Sequence, residues 1–350
     1  MVTILPKLCP DLRTIDLQRL PKDPVITAAV SKMLLASNRN TLRSFRVDSP
    51  LTKEAQEVVY NLPDLRELLA VIERDTPLPS VVLPSLTDLA IGYDHDGDWL
   101  QMFRGATLGK LEAVTFHSGS EQIGNLLEEF KRVALAASIQ NTLLEFYLFT
   151  ECSWNPNYRS LLPFTHLANL IVEFSCDGGC SSRVDDDTIM NLARAMPGLG
   201  MLQLGKDPCR EIPIGVTTKG LATLANHCPY LSVLRIHFQV ASLCTPPAVV
   251  GTPSDAVLTT LRRVCGLEEL GVGEIPMPKE SVFITALTLV RIFPRLNQID
   301  YVDDEGWHDV MEAICLSRDI VDYSGKEQPL SSPRSNLRDA SLGATPWNGG

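Results

Sequence analysis

The chain has 350 residues, 45% of them apolar, and its 42 acidic and 31 basic side chains leave a net charge of −11. That apolar share can supply a continuous core, while no cluster of five or more Lys/Arg offers a phosphate-binding stripe, so nucleic acid is not an expected partner. There is no run of eighteen apolar residues, no basic-then-apolar leader and no Asn-x-Ser/Thr acceptor, and the nine cysteines are mostly scattered singly; reduced thiols in a cytoplasmic or nuclear protein without a membrane partner are expected.

A short apolar frame, Leu-x-x-Leu-x-Leu or a close variant, recurs eleven times, starting at Leu12, Leu42, Leu65, Leu86, Leu111, Leu143, Leu167, Leu199, Leu231, Leu267 and Leu296. Successive copies stand 21 to 36 residues apart, room for one strand, one helix and two turns. Period-2 alternation predicts a strand in each frame, with its apolar residues in the core. A proline precedes six of the frames by two residues (Pro10, Pro63, Pro84, Pro197, Pro229 and Pro294) and marks the helix-to-strand turn, because proline cannot continue a helix.

Between the frames, amphipathic helices are predicted at 25–36, 53–62, 122–137, 186–195, 218–226, 255–264, 280–292 and 307–316. Thr217 or Thr218, and Ser254 or Asp255, are candidate N-caps. Irregular insertions are expected at 92–109, 152–162, 176–184, 206–216 and 240–253, the last looping out on the surface. Repeats over 1–322 thus form one α/β leucine-rich-repeat solenoid, a horseshoe of about eleven units with a parallel sheet on its concave side and helices on its convex side. The last helix should seal its end. The segment 323–350 is rich in Ser, Gly and Asn and is expected to be a disordered tail, with Ser332-Pro333 a weak phosphosite candidate.

The strand residue between the last two apolar positions should face the concave side, giving Asp16, Arg46, Leu69, Ala90, Thr115, Tyr147, Ile171, Gln203, Arg235, Gly271 and Asp300. The next outward position gives Gln18, Asp48, Val71, Gly92, His117, Phe149, Glu173, Gly205, His237, Gly273 and Val302. Tyr147, Phe149, Ile171, Gln203, Arg235 and His237 are the candidate partner-binding residues, since aromatic and Arg side chains among polar ones suit a binding hot spot. The alternatives are stray exposed apolar residues of a degenerate solenoid, or a patch covered by an insertion.

Val216–Phe238, VTTKGLATLANHCPYLSVLRIHF, resembles the cysteine-containing leucine-rich repeats of F-box proteins through Gly220, Leu221, Leu224, Ala225, Cys228, Pro229 and Leu231. Cys9-Pro10 repeats the pair, and VDDDTIMNLARAMPGLGMLQL follows the scheme with methionine for cysteine. Such units resemble those of the F-box-like leucine-rich-repeat proteins abundant in fungi, and the resemblance implies a non-catalytic scaffold like the substrate-binding region of an SCF ubiquitin-ligase adaptor. The F-box module itself is not read in this sequence, which opens inside a repeat. Skp1 and cullin are therefore expected partners only if a longer parent carries that module. A general interaction scaffold is the alternative; an enzyme or a GTPase-activating repeat protein is a remote one.

Asp94, Asp96 and Asp98 imitate the start of a calcium loop, but the twelfth position is Gly105 where a bidentate Glu is needed, so a solvated acidic loop is expected. Cys152, Cys176, Cys180 and Cys209 lack zinc spacing and are read as free thiols. No nucleophile elbow, phosphate loop, dinucleotide glycine pattern or H-E-x-x-H occurs. The expectation is no enzyme, no metal and no cofactor.

Overall fold

In the computed structural model of the chain, the structure describes residues 11–18, 23–36, 41–72, 83–93, 108–118, 126–150, 156–174, 184–205, 215–244, 265–273, 275–301 and 305–324. Every apolar frame forms a strand that starts two residues after its first leucine. In chain order these are β1 (Thr14–Leu17), β2 (Ser44–Pro50), β3 (Glu67–Ile72), β4 (Asp88–Tyr93), β5 (Ala113–Ser118), β6 (Glu145–Thr150), β7 (Asn169–Phe174), β8 (Met201–Leu204), β9 (Val233–Ile236), β10 (Glu269–Gly273) and β11 (Gln298–Tyr301). They pair in that order as one eleven-stranded sheet, every pair parallel. Parallel neighbours cannot be joined by a tight hairpin, so each connection must cross back before the next strand begins. The helices that do so are α1 (Pro24–Ala36), α2 (Lys53–Val59), α3 (Leu126–Ala136), α4 (Asp186–Ala195), α5 (Thr218–His227), α6 (Val240–Cys244) and α7 (Val282–Ile292), and α8 (Glu305–Ser324) follows the last strand. The chain is therefore an α/β, solenoid-like repeat. None of the described helices is long and apolar enough to cross a membrane.

One register row crosses all eleven strands as Ile15, Phe45, Leu68, Leu89, Val114, Phe146, Leu170, Leu202, Leu234, Leu270 and Ile299. Each is buried, and all join one apolar core with the buried faces of the helices, among them Leu127, Leu192, Leu224 and Leu289. At the middle of the sheet the core is aromatic. Phe146 meets Phe116 edge-on at 5.9 Å, and Phe130 packs on Phe146 at 5.1 Å and on Phe164 at 5.3 Å.

The prolines sit where the turn chemistry wants them. Amide donation from Leu199 to the Met196 carbonyl (3.2 Å), from Leu231 to Cys228 (3.2 Å) and from Leu296 to Phe293 (3.1 Å) closes a four-residue turn before the strand. Pro197, Pro229 and Pro294 occupy its second position, whose φ proline presets. Cys228 and Cys265 are buried beside these turns, each thiol near a preceding repeat's carbonyls, Met196 at 3.7 Å for Cys228 and Cys228 itself at 3.6 Å for Cys265. Burial pushes the Cys228 thiol up to about 12, so it acts as a small apolar group and not as a nucleophile.

The Thr-Lys-Gly-Leu stretch also has a physical reading. Thr217 caps α5, its hydroxyl oxygen accepting from the Lys219 amide at 3.2 Å. Asp186 of α4 reaches across to accept from both the amide (2.8 Å) and the hydroxyl (2.6 Å) of Thr217. A Cβ on Gly220 would stand 2.5 Å from that Asp186 oxygen, so glycine lets the neighbouring repeats close. Asp185, not foreseen as a cap, accepts from the Thr188 amide at 2.8 Å.

Several boundaries differ from expectation. The helix predicted over 53–62 stops at Val59, where the turn before Pro63 begins. Residues 240–253 were expected to loop out, yet they open with α6, whose Val240 and Leu243 are buried. Within the 152–162 insertion, Tyr158–Leu161 forms a 3-10 turn that buries Tyr158 and Leu161 in the place a helix takes elsewhere. The helix predicted from 280 is a 3-10 turn, Lys279–Ser281, leading into α7. The candidate helix at 255–264, with Ser254 and Asp255, lies outside the described residues. Helix α8 runs to Ser324, so Tyr323 and Ser324, expected to begin the tail, are helical; the rest of 323–350 lies outside the described residues. That helix is anchored by Trp307, fully buried, whose indole N–H donates to the Ile275 carbonyl at 2.6 Å.

Phe146→Ala removes the ring shared by two neighbouring repeats and should cost about 3–5 kcal/mol. Urea unfolding should show a lower midpoint for the variant; an unchanged midpoint would mean that this aromatic cluster does not hold the middle repeats together.

Candidate functional site

Alternation along each strand leaves every second side chain on the sheet face opposite the core. The outward row read from the sequence is continuous: Asp16, Arg46, Leu69, Ala90, Thr115, Tyr147, Ile171, Gln203, Arg235, Gly271 and Asp300 are register partners across all eleven strands. The second row holds only where the strands are six residues long, through Val71, Gly92, His117, Phe149 and Glu173. Outside that stretch it drifts. Pro50, not Asp48, pairs with Val71, and Tyr301 pairs with Gly273 across an irregularity. Val302 lies outside the described residues.

A third outward row, at the first residue of each strand, was not anticipated. It runs Thr14, Ser44, Glu67, Asp88, Ala113, Glu145, Asn169, Met201, Val233, Glu269 and Gln298. The signal was present two residues after each leading leucine, in the same alternation that located the other rows. This row carries much of the acidity of the face.

The six candidate residues divide into three groups. Tyr147, Phe149 and Ile171 are half-buried on adjacent strands and form one aromatic and apolar group. Phe149 stacks on His117, with ring centroids 4.8 Å apart and planes 10° from parallel. The Tyr147 hydroxyl donates to Glu145 at 3.0 Å, and Asn169 donates to the other oxygen of that carboxylate at 3.0 Å. Gln203, by contrast, is only 6% exposed; its amide donates to Glu173 at 2.7 Å, so it braces a carboxylate more than it presents a contact. Arg235 and His237 sit farther along the sheet. The Arg235 guanidinium grips Glu269 through Nε (3.2 Å) and Nη2 (2.6 Å) and lies 3.5 Å from Asp300. It crosses directly over Gly271, where a Cβ would stand 2.6 Å from Arg235 Cγ. Glycine there is what gives the arginine its path. His237 is half-buried just past the end of β9.

Charge is unevenly satisfied. Glu67 accepts from Arg46 (3.1 Å) and from the Ser44 hydroxyl (2.8 Å). Asp88, on the next strand, receives no side-chain hydrogen bond from the described residues. Burial pushes its carboxyl up to about 6, with Glu67 and Glu145 adding to the rise and Arg46 opposing it. Burial lowers the His117 pKa, so that ring is neutral at pH 7. Tyr147 is held firmly in its phenol form, by burial first and then by Glu145.

Among the described residues no three His, Cys, Asp or Glu side chains come together as metal ligands. The acidic loop at Asp94, Asp96 and Asp98, the cysteines Cys152, Cys176, Cys180 and Cys209, and Ser332 lie outside the described residues.

Asp88→Asn should stabilise the protein near neutral pH. An unfolded aspartate titrates near 4. Between about pH 4 and 6 the folded chain keeps a proton that the unfolded chain releases, so the ionised group destabilises the fold progressively through that window and fully above it. The variant should gain about 1–2 kcal/mol at pH 7, and the gain should vanish near pH 4. Thermal melts at the two pH values check this; equal effects at both would sink the assignment. No family model matches the chain, and no curated protein aligns with it significantly.

Proposed function

We propose that the chain is a leucine-rich-repeat protein whose parallel sheet lines the concave side of a horseshoe, and that it works as a non-catalytic scaffold recognising another protein on that side. One observation carries the reading: Tyr147, Phe149 and Ile171 stand together, half-buried, on the sheet face turned away from the core, with Phe149 already stacked on His117. Aromatic side chains held in place by their neighbours lose little freedom when a partner covers them, and this is the usual chemistry of a binding hot spot. The groups around them brace one another, with Tyr147, Asn169 and Gln203 donating to the Glu145 and Glu173 carboxylates, and do not converge on a reacting atom, which favours binding over catalysis.

The second reading, a substrate-binding region of an F-box-type ubiquitin-ligase adaptor, draws on the repeat at 216–238. There Thr217, Gly220, Cys228 and Pro229 each have the packing role described above. In that case Skp1 and cullin would join through an F-box in a longer parent. Buried free thiols at Cys228 and Cys265 fit a reducing compartment, the cytoplasm or the nucleus.

Affinity capture with the full chain and with a Tyr147→Ala/Phe149→Ala/Arg235→Ala variant tests both. Each aromatic truncation should cost about 2 kcal/mol of binding. Partners held by the parent chain should be lost from the folded variant. If the variant keeps all of them, the concave centre is not the binding face. Skp1 and cullin among the captured proteins would support the adaptor; other stable partners without them would support a general scaffold.

A further inference from the structure

Of the four carboxylates in the first outward row, the two toward the sides of the sheet are met by an arginine and the two at its centre are not. At each side, an arginine in the middle row of one strand reaches diagonally to a glutamate in the first row of the next. Arg46 on β2 takes Glu67 on β3, and Arg235 on β9 takes Glu269 on β10. The same diagonal leads to Asp88 from Leu69, and to Glu145 from Thr115. Neither Leu69 nor Thr115 can neutralise a carboxylate.

The outward residues of β4 to β8 carry Asp88, Glu145 and Glu173 and no lysine or arginine. His117, the one titratable nitrogen among them, is neutral at pH 7 for the reason given above. Asp88 and Glu145 lie two strands apart, about 10 Å, on one side of the aromatic pair, and Glu173 lies on the strand beyond it. Glu145 receives the neutral donors Tyr147 and Asn169, which orient its carboxylate without cancelling its charge.

We propose that this central face recognises a basic segment of a partner protein, a lysine or arginine set beside an apolar residue, with the cation supplying the charge that Leu69 and Thr115 do not. The proposal rests on the reading of this face as a protein-binding surface. A guanidinium or ammonium group placed between Asp88 and Glu145 completes the diagonal found at Arg46–Glu67. Its aliphatic stem, or the neighbouring apolar side chain, lies against Tyr147, Phe149 and Ile171. Burial first, and then the like charges of Glu67 and Glu145, raise the proton affinity of Asp88, and a partner cation would oppose that rise.

A phage-displayed library of random twelve-residue peptides, panned on the full chain at low salt, tests the idea. Binding of the enriched peptides is then measured on the parent chain, on an Asp88→Asn/Glu145→Gln/Glu173→Gln variant, and on a Tyr147→Ala/Phe149→Ala variant. The enriched peptides should carry an excess of lysine or arginine and should bind the charge variant at least tenfold more weakly. Their binding to the parent chain should also fall at least tenfold between 50 and 300 mM NaCl, a readout that needs no variant to fold. Peptides that depend on Tyr147 and Phe149, yet ignore both salt and the charge variant, would sink the basic partner and leave the protein-binding face standing. If no enriched peptide is weakened by either variant, both readings fall.

Discussion

Parallel pairing at one shared register is the constraint on which the rest of this molecule depends. Once Ile15 and its ten register partners lie in a single buried row, every strand must present the same alternate positions outward, and every connection must return to the same end of the sheet. A one-residue slip of β2, for instance, would turn Phe45 and Val47 outward and bring Arg46 into the core. The apolar frame, the proline turn and the helix behind each strand all serve to prevent it. The turn closed across Pro229 and the Asp186–Thr217–Gly220 contact do so from opposite ends of a repeat.

With register held from behind, the outward rows are free to vary. What fills them is chemistry of neighbours rather than of core packing. Arg235 lies over Gly271 because that strand has no side chain there, and it can then reach both Glu269 and Asp300. Glu145 is oriented by Tyr147 on its own strand and by Asn169 on the next. Such contacts across adjacent repeats make the face a lattice of short-range decisions, and its middle is where aromatic rings and uncompensated carboxylates coincide.

The strands were fully legible because leucine spacing reports burial directly, and the middle outward row followed from alternation alone. Less was legible where tertiary packing overrides local pattern. Helix α6 is only five residues long, and the prolines that follow it at 246 and 247 make the segment read as loop, though Val240 and Leu243 are core residues. Tyr158–Leu161 is likewise too short for helical periodicity to show. In the site, Tyr147, Phe149 and Ile171 came together as expected. Gln203 and Arg235 look like contact residues in sequence, yet in space each is engaged with a carboxylate of a neighbouring strand. The acidic first row is hard to read in the sequence because a polar residue just inside a strand looks like part of the turn.

The distribution of charge along the sheet also has an energetic side. Pairing a surface carboxylate with a neighbouring arginine contributes little to stability, so neither Arg46 nor Arg235 is needed to hold the repeats together. Leaving Asp88 half-buried between Glu67 and Glu145 is a different matter, since it sets desolvation and like charge against the fold at neutral pH. A single small core would tolerate such a group poorly. A stack of eleven strands, each sharing its buried face with the next, distributes the cost over many contacts. Local chemistry that opposes stability while the surrounding frame stays regular is found where a surface is shaped for something other than its own fold. At the centre of this sheet the diagonal arginine is missing and the aromatic rings stand beside the gap, the arrangement on which the proposed recognition of a basic partner rests.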